Sequence, residues 1–286
     1  MAVYKRGYQR YSGPLTGRWT RFLVLPRYAW RRLYQQRLVL LLTIVAFVWP
    51  LLCTGFIYLT NHVELLQGLD KEFLQFIQVD GRFFSIFMYV QAGFAVFLAA
   101  LAGPGLIAPD LANNALPLYL SRPLTRWTYA LARLTVLVGM LSVVTWIPGL
   151  ILFWLQVGLA GGSWFSANWT LGTGMFFGFV IWLLILSLVA MASSAYVKWR
   201  IVAAAVSLAF FFILSGVGAM INEVLRVRWG HLIDPAWAVN QVWCVLLGVP
   251  VLQGPGAGAS ATALAVMASL LVLVIERKLR PVEVVK

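Results

Sequence analysis

The sequence predicts an all-α integral membrane protein with six transmembrane helices in a single domain, residues 1–286. Two observations are compositional: 62% of the residues are hydrophobic and only 11% are charged, whereas an ordinary soluble domain has about 25% charged residues. The third is a set of apolar runs of about 20 residues, the length that crosses the hydrocarbon core as a helix. The short alternating segments of a transmembrane β-barrel are not seen.

Six apolar stretches are the predicted spans. Pro50 lies inside the first of them and predicts a kink there. The third is long enough to tilt or to project from the bilayer. The predicted spans are residues 38–60, 83–108, 127–159, 170–194, 201–221 and 259–275.

Lys and Arg residues fall mostly on one side of these spans. Residues 1–37 carry nine cations and no acid, and this side holds 18 of the 22 cations in all. The opposite side holds four cations and six acids. By the positive-inside rule, both termini are therefore expected to be cytoplasmic. The net charge of +13 is then explained by the membrane topology, so nucleic-acid binding is not expected.

The segment before the first span, residues 26–37, mixes aromatic residues with arginines. Such a mixture suits the headgroup layer and predicts an interfacial helix in contact with membrane lipid. The alternative is a positive flank that only fixes the orientation of the first span. The residues assigned to the interfacial helix are Tyr28, Trp30, Arg31, Arg32 and Tyr34.

The segment before the last span, residues 222–257, is longer than a turn. It contains the apolar stretch 242–252, which is too short to span a membrane and too apolar for a free loop. We expect an outer re-entrant segment here, or one that lies along the membrane interface. It could serve as a lid on a transport path or simply as a buried connector.

Familiar catalytic and cofactor motifs are missing from the chain. There is no phosphate-binding G-x-x-x-x-G-K-[ST] motif, and the two histidines, His62 and His231, are far apart in sequence. We therefore expect no catalytic residue, no metal site and no cofactor site in this chain. Gln91 is the most conspicuous polar residue within a predicted span, whereas ion-coupled carriers usually keep an ionisable residue at mid-depth. A membrane path without its own energy source points to an external motor.

The stretch GLIAPDLANNALPLYLSRPLTRWTYALARL, residues 105–134, resembles the segment after the second span in permeases of ABC transporters of the type-2 exporter class. One departure is Ala132-Arg133, where many relatives have Gly-Lys. The positions that match the family pattern are Asp110, Asn113, Ala115, Leu116, Leu118, Ser121, Arg122, Pro123, Leu124 and Tyr129.

The resemblance implies a permease subunit of an ATP-driven exporter in a bacterial cytoplasmic membrane. Residues 110–126 would be a cytoplasmic coupling helix that docks on a separate ATP-binding subunit. Two copies of that subunit, which would bind ATP and Mg²⁺, and a second permease subunit, identical or different, are the implied partners. The mostly uncharged spans suggest a hydrophobic or amphipathic cargo. The alternatives are a non-transporting membrane scaffold or assembly factor, and a secondary carrier.

The residues of this segment suit docking on physical grounds. Asp110 can cap the N-terminus of a short helix, and Pro117 disfavours helix at the residue before it. A lipid-facing connector that uses its leucines as anchors is the alternative. The docking residues are predicted to be Asp110, Asn113, Asn114, the apolar group Leu116, Leu118, Tyr119 and Leu120, and then Arg122, Pro123 and Arg126.

Overall fold

The computed structural model of the chain describes residues 18–62, 78–113, 126–197 and 199–279. In these ranges it contains ten α-helices, a short 3₁₀ helix at Trp229–Leu232 and no strand. The α-helices are α1 (Arg18–Tyr34), α2 (Arg37–Asn61), α3 (Gly81–Ala102), α4 (Pro104–Ala112), α5 (Arg126–Val144), α6 (Trp146–Ala160), α7 (Gly162–Tyr196), α8 (Arg200–Leu225), α9 (Pro235–Leu246) and α10 (Ala257–Leu279).

Among the described residues, six helical stretches are long and apolar enough to cross a membrane, which agrees with the predicted number of spans. Four are the single helices α2, α7, α8 and α10, and two are built from consecutive helices, α3 with α4 and α5 with α6. The first of these pairs is interrupted before Pro104, and the second at Thr145, three residues before Pro148. Proline has no N–H to donate to the preceding turn, so both interruptions have a local cause.

Pro50 does not end the first span. It lies inside α2, which runs without interruption from Arg37 to Asn61. The carbonyl oxygen of Pro50 accepts a hydrogen bond from the Thr54 hydroxyl at 2.9 Å. The turn that follows the proline is therefore tied to its own helix by a side chain.

Helix α7 is the centre of the bundle. It packs against α3, α4, α5, α6, α8, α9 and α10. In the most apolar window of α7, 67% of the residues are buried, compared with 17% in α8 and in α10. The peripheral spans therefore leave most of their apolar surface for lipid or for another subunit.

The fourth span begins earlier than predicted. Residues 170–194 were expected from hydropathy, whereas α7 already begins at Gly162. Trp164 and Phe165 lie in this additional turn and pack against Phe153 of α6, with ring centroids 5.6 and 6.3 Å apart. The polar residues between Ser163 and Thr170 lower the local hydropathy, and aromatic packing extends the helix through them.

The apolar stretch 242–252 is only partly helical. Helix α9 begins after Asp234, whose carboxylate accepts from the backbone N–H groups of Ala236 and Trp237, and it ends at Leu246. The Gln241 side chain accepts from Leu252 N and donates to the carbonyls of Leu252 and Pro255, at 2.9 to 3.1 Å. One buried amide thus folds the chain after α9 back onto the helix.

The two ends of the bundle are referred to below by the helices found there. The α1 side is the end at which α1, α4 and the start of α5 lie, and the α9 side is the opposite end. At the α9 side, the backbone of α9 reaches α7 at Gly174, and the chain just after α9 reaches α3 at Gly81. At the α1 side, α1 packs against α5 and α2.

Candidate functional site at the α4–α5 junction

Asp110, Tyr129 and Arg133 form a polar cluster at the α1 side, which we call the Asp110 cluster. The Tyr129 hydroxyl donates to Asp110 Oδ2 at 2.7 Å, and Arg133 Nη2 donates to the same oxygen and completes an ion pair. The Arg133 guanidinium also lies over the Tyr129 ring, 5.2 Å from its centroid. The cluster therefore joins α4 to α5, the two helices that flank residues 114–125.

The Asp110 cluster is largely shielded from solvent. The Arg133 and Asp110 side chains are 11% and 16% exposed, and Tyr129 is fully buried. Arg133 Nε is also buried and has no hydrogen-bond partner among the described residues. A charge in such a site is tolerated only with a close opposite charge and additional hydrogen bonds, so removing either partner exposes the full desolvation cost of the other.

Asp110 does not cap a helix, so that expectation is wrong. It lies inside α4, two residues before the end of the helix at Ala112. A capping residue stands just before the first turn and accepts from backbone N–H groups, whereas this carboxylate accepts from two side chains of α5. Because Asp110 lies within the helix, its carboxylate meets the side chains of α5 and not the N–H groups of a first turn.

Ser194 of α7 binds the first turn of α4. Its hydroxyl accepts from Ala108 N at 2.9 Å and donates to the Pro104 carbonyl at 3.3 Å. These two backbone groups are four residues apart, as are the groups that pair within an α-helical turn. One step earlier, Gly103 lies against Ala190 so closely that an added Cβ would be 2.5 Å from the Ala190 methyl. Helix α4 is therefore held on the central helix by close packing and by one hydroxyl.

Arg200, the first residue of α8, connects three spans at the same level. It donates to Gln36 Oε1 just before α2, and at 3.2 Å to the Leu101 carbonyl near the end of α3. The Leu101 carbonyl lies at the interruption before Pro104, where the helical hydrogen-bonding pattern is disturbed. The first, second and fifth spans therefore meet at one guanidinium beside α4.

Helix α1 is attached to α5 by Trp30. The indole N–H donates to the Val136 carbonyl at 2.8 Å. The ring fills the space beside Gly139, where an added Cβ would lie 2.4 Å from the Trp30 ring. The buried residues Ala29 and Leu33 lie on the same face of α1. Movement of α5 and movement of α1 are therefore linked by a side chain that has little free space.

The described residues include only part of the predicted docking segment. Asn113 is exposed just after α4, and Arg126 is the first residue of α5. Asn114, Leu116, Leu118, Tyr119, Leu120, Arg122 and Pro123 lie outside the described residues, so their predicted role stays a prediction.

The predicted interfacial residues divide between two faces of α1. Tyr28, Arg31 and Arg32 are exposed, whereas Trp30 and Tyr34 are half-buried and face the bundle. Sequence reasoning did not assign Arg133, Ser194 or Arg200 to the site. A charged residue several positions inside an apolar stretch was the available signal for Arg133, because such residues face protein and find partners. Ser194 and Arg200 carried no comparable signal.

Gln91 links two spans. It is fully buried, and its Nε2 donates to the Ala46 carbonyl of α2 at 3.0 Å. Its Oε1 has no partner among the described residues. The most conspicuous polar residue of the spans therefore contributes an interhelical hydrogen bond between α2 and α3.

An apolar cleft of about 300 Å³ opens between α3, α7, α8 and α9. Phe97 and Phe212 are exposed at the cleft, while Trp182 and Trp243 are buried against it. Asn240 adds an amide to an otherwise aromatic and aliphatic wall. Such a lining suits an apolar or amphipathic molecule with few hydrogen-bonding groups.

The part of the chain that the structure describes holds no group of three or more His, Cys, Asp or Glu residues that could bind a metal ion. Comparison of the chain with models of known protein families and with curated protein sequences finds no match.

Proposed function

We propose that this chain is the membrane-spanning permease subunit of an ATP-driven ABC exporter, coupled to separate ATP-binding subunits through residues 110–126. The observation that supports the proposal best is the Asp110 cluster, because it joins the two helices that flank this segment. If residues 110–126 transmit force from a motor, the two helices that flank this segment have to move together.

The neighbouring contacts suggest where such a movement would go. Helix α4 is bonded to α7 by Ser194, and Arg200 links the end of α3 to the start of α8 and to Gln36. A displacement of α4, which belongs to the second span, would therefore be passed to the fourth span through Ser194 and to the fifth span through Arg200. The apolar cleft lies between those same three spans and α9, and we infer that a hydrophobic or amphipathic cargo passes beside it.

We also propose an orientation of the bundle in the membrane. The α1 side is cytoplasmic, α1 is an interfacial helix, and α9 with the loop 247–256 is an outer re-entrant segment. Gly81 and Gly218, close to the α9-side ends of α3 and α8, contact Leu247 and Gly230 on either side of α9. Contacts of this kind suit a segment that enters and leaves on one side of the membrane.

Assembly with the motor is the direct test. We expect the chain to co-purify with an ATP-binding cassette protein and to alter its ATPase activity. Leu118→Arg and Tyr119→Glu, made singly, should each weaken both effects, because each puts a charge into the predicted apolar group. Val251→Arg, at an exposed apolar residue of the α9 side, is the matched control and should change neither. Unchanged assembly and ATPase activity in both docking variants, with the fold intact by gel filtration, would refute docking.

Reconstitution separates the alternatives. Cargo movement that requires both ATP and the partner subunit supports the exporter. Movement driven by an ion gradient with this chain alone would instead support a secondary carrier. Partner binding without any cargo movement would support a scaffold.

A further inference from the structure

The exposed face of α1 carries three arginines in a helical pattern. Arg27, Arg31 and Arg32 are exposed with Tyr28, whereas Pro26, Ala29 and Leu33 are buried on the opposite face. Residues 27 and 31, and residues 28 and 32, are four positions apart, so their side chains are neighbours on the helix surface. The result is a compact cationic surface with one aromatic ring, which we call the α1 arginine face.

Within the part of the chain that the structure describes, no acidic side chain forms a salt bridge with the α1 arginine face. The ion pair between Asp110 and Arg133 is the one salt bridge found within residues 18–62, 78–113, 126–197 and 199–279. The sequence has no acid anywhere in residues 1–37. Guanidinium groups match phosphate oxygens in geometry as well as in charge, so a phosphate group is a suitable counter-ion for these arginines.

The position of α1 limits where that anion comes from. Only Gln35 and Gln36 separate α1 from the start of the apolar span α2. Arg31 and Arg32 lie in the last turn of α1, and Arg27 lies one turn earlier, so all three arginines are close to the end of α2 at which the apolar span begins. Trp30 holds the opposite face of α1 on α5, so the arginine face keeps its orientation relative to the bundle.

We propose that the α1 arginine face is a binding site for the phosphate groups of anionic phospholipids in the leaflet that α1 borders. Tyr28, which is 70% exposed, packs at the headgroup level, and the arginines bind lipid phosphates. The inference rests on the interfacial placement of α1 proposed above and does not depend on the exporter assignment.

The test measures lipid selectivity of the purified full chain. The chain in detergent is incubated with equal amounts of phosphatidylglycerol and phosphatidylcholine, and the retained lipids are counted by native mass spectrometry. We expect a preference for phosphatidylglycerol that falls by roughly 10-fold or more in the triple variant R27Q/R31Q/R32Q, since one cation near a lipid surface contributes about 1 kcal/mol, or roughly 5-fold in affinity.

The triple variant R82Q/R226Q/R228Q is the matched control. It removes the same number of exposed charges at the opposite ends of the spans and should keep the preference. R27K/R31K/R32K keeps the charge and should retain most of it. Equal loss in R82Q/R226Q/R228Q, or no loss in R27Q/R31Q/R32Q, would overturn the proposal.

A second measurement does not depend on the folding of any variant. It is the salt dependence of lipid retention by the unaltered chain. Retention of phosphatidylglycerol should fall as salt rises while retention of phosphatidylcholine stays constant. If the retention of both lipids is independent of salt, the proposal is contradicted. It is also contradicted if the α1 arginine face shows no lipid preference and instead binds an acidic protein selectively.

Discussion

The two ends of the bundle are held together in different ways. At the α1 side, helices are joined by polar side chains: Asp110 to Arg133 and Tyr129, Ser194 to α4, and Arg200 to Gln36 and Leu101. At the α9 side, glycines allow backbones to touch. An added Cβ on Gly174 would be 2.5 Å from the Leu246 carbonyl oxygen, and one on Gly218 would be 2.6 Å from that of Gly230.

The polar contacts of the α1 side can be exchanged for others, whereas the glycine contacts of the α9 side depend on the fit between two backbones. A hydrogen bond between side chains can be replaced by another one after a shift of a helix, whereas interlocked backbones pack in one arrangement. Gly103 and Gly139 also pack closely at the α1 side, but against side chains of other helices, whereas Gly174 and Gly218 at the α9 side meet backbone carbonyls. The α1 side therefore has the contacts that suit a moving junction, and the α9 side has those that suit a fixed support. The following substitutions test this contrast, and each measures the free energy of unfolding by denaturant titration in detergent micelles.

The largest effect is expected at the Asp110 cluster. Arg133→Met leaves the Asp110 carboxylate without its counter-ion and should cost about 3 kcal/mol. Asp110→Leu should cost a similar amount. The double variant removes both charges and should be more stable than the sum of the single effects predicts. Arg82→Met, at an exposed cation, should change stability by no more than about 0.5 kcal/mol. Additive single effects would show that the two side chains do not depend on each other.

The next effect is expected at the α9 side. Gly174→Ala places a methyl group against the Leu246 carbonyl and should cost about 2 kcal/mol, because a backbone has to move. Gly216→Ala is the matched control, since an added Cβ there meets nothing within 4 Å. It should be neutral or stabilising by up to about 1 kcal/mol, as alanine favours helix over glycine. Equal changes in the free energy of unfolding for the two variants would show that close packing at Gly174 does not stabilise the α9 side.

Ser194 provides a smaller test on the central helix. Ser194→Ala removes both contacts of α7 with the backbone of α4 and should cost about 1.5 kcal/mol. Ser187 lies on the same helix, and its buried hydroxyl has no hydrogen-bond partner among the described residues. Ser187→Ala should therefore be neutral or stabilising. Equal costs for the two serines would contradict a specific role for Ser194.

The smallest effect is expected at the cap of α9. Asp234→Ala loses the acceptor for the N–H groups of Ala236 and Trp237 and should cost about 1 kcal/mol. Asp234→Asn keeps an acceptor oxygen and should cost only a few tenths of a kcal/mol. A large loss with Asn would mean that the charge of Asp234, and not its capping oxygen, stabilises the α9 side.

Much of the fold could be predicted from local patterns, and much of the site could not. The number of spans and the apolar segment before the last span are readable because each depends on neighbouring residues, whereas the interruptions before Pro104 and at Thr145 were not predicted. Asp110 was predicted as a helix cap, a role that the structure contradicts, since its side-chain partners lie 19 and 23 residues away. Arg200 reaches Gln36 across 164 positions, and no local pattern reports such a pairing.

The sequence by itself determined the all-helical membrane class, the six spans and the unequal distribution of charge, because a hydrocarbon core demands long apolar helices with satisfied backbones. The tertiary structure decided that α7 is central, that the Asp110 cluster forms, and which face of α1 is exposed. In lipid, the outside of a bundle is as apolar as its inside, so hydrophobic periodicity does not state which way a helix faces. Glycine contacts and a few polar side chains determine which face of each helix is buried, and their partners are set only when the helices pack.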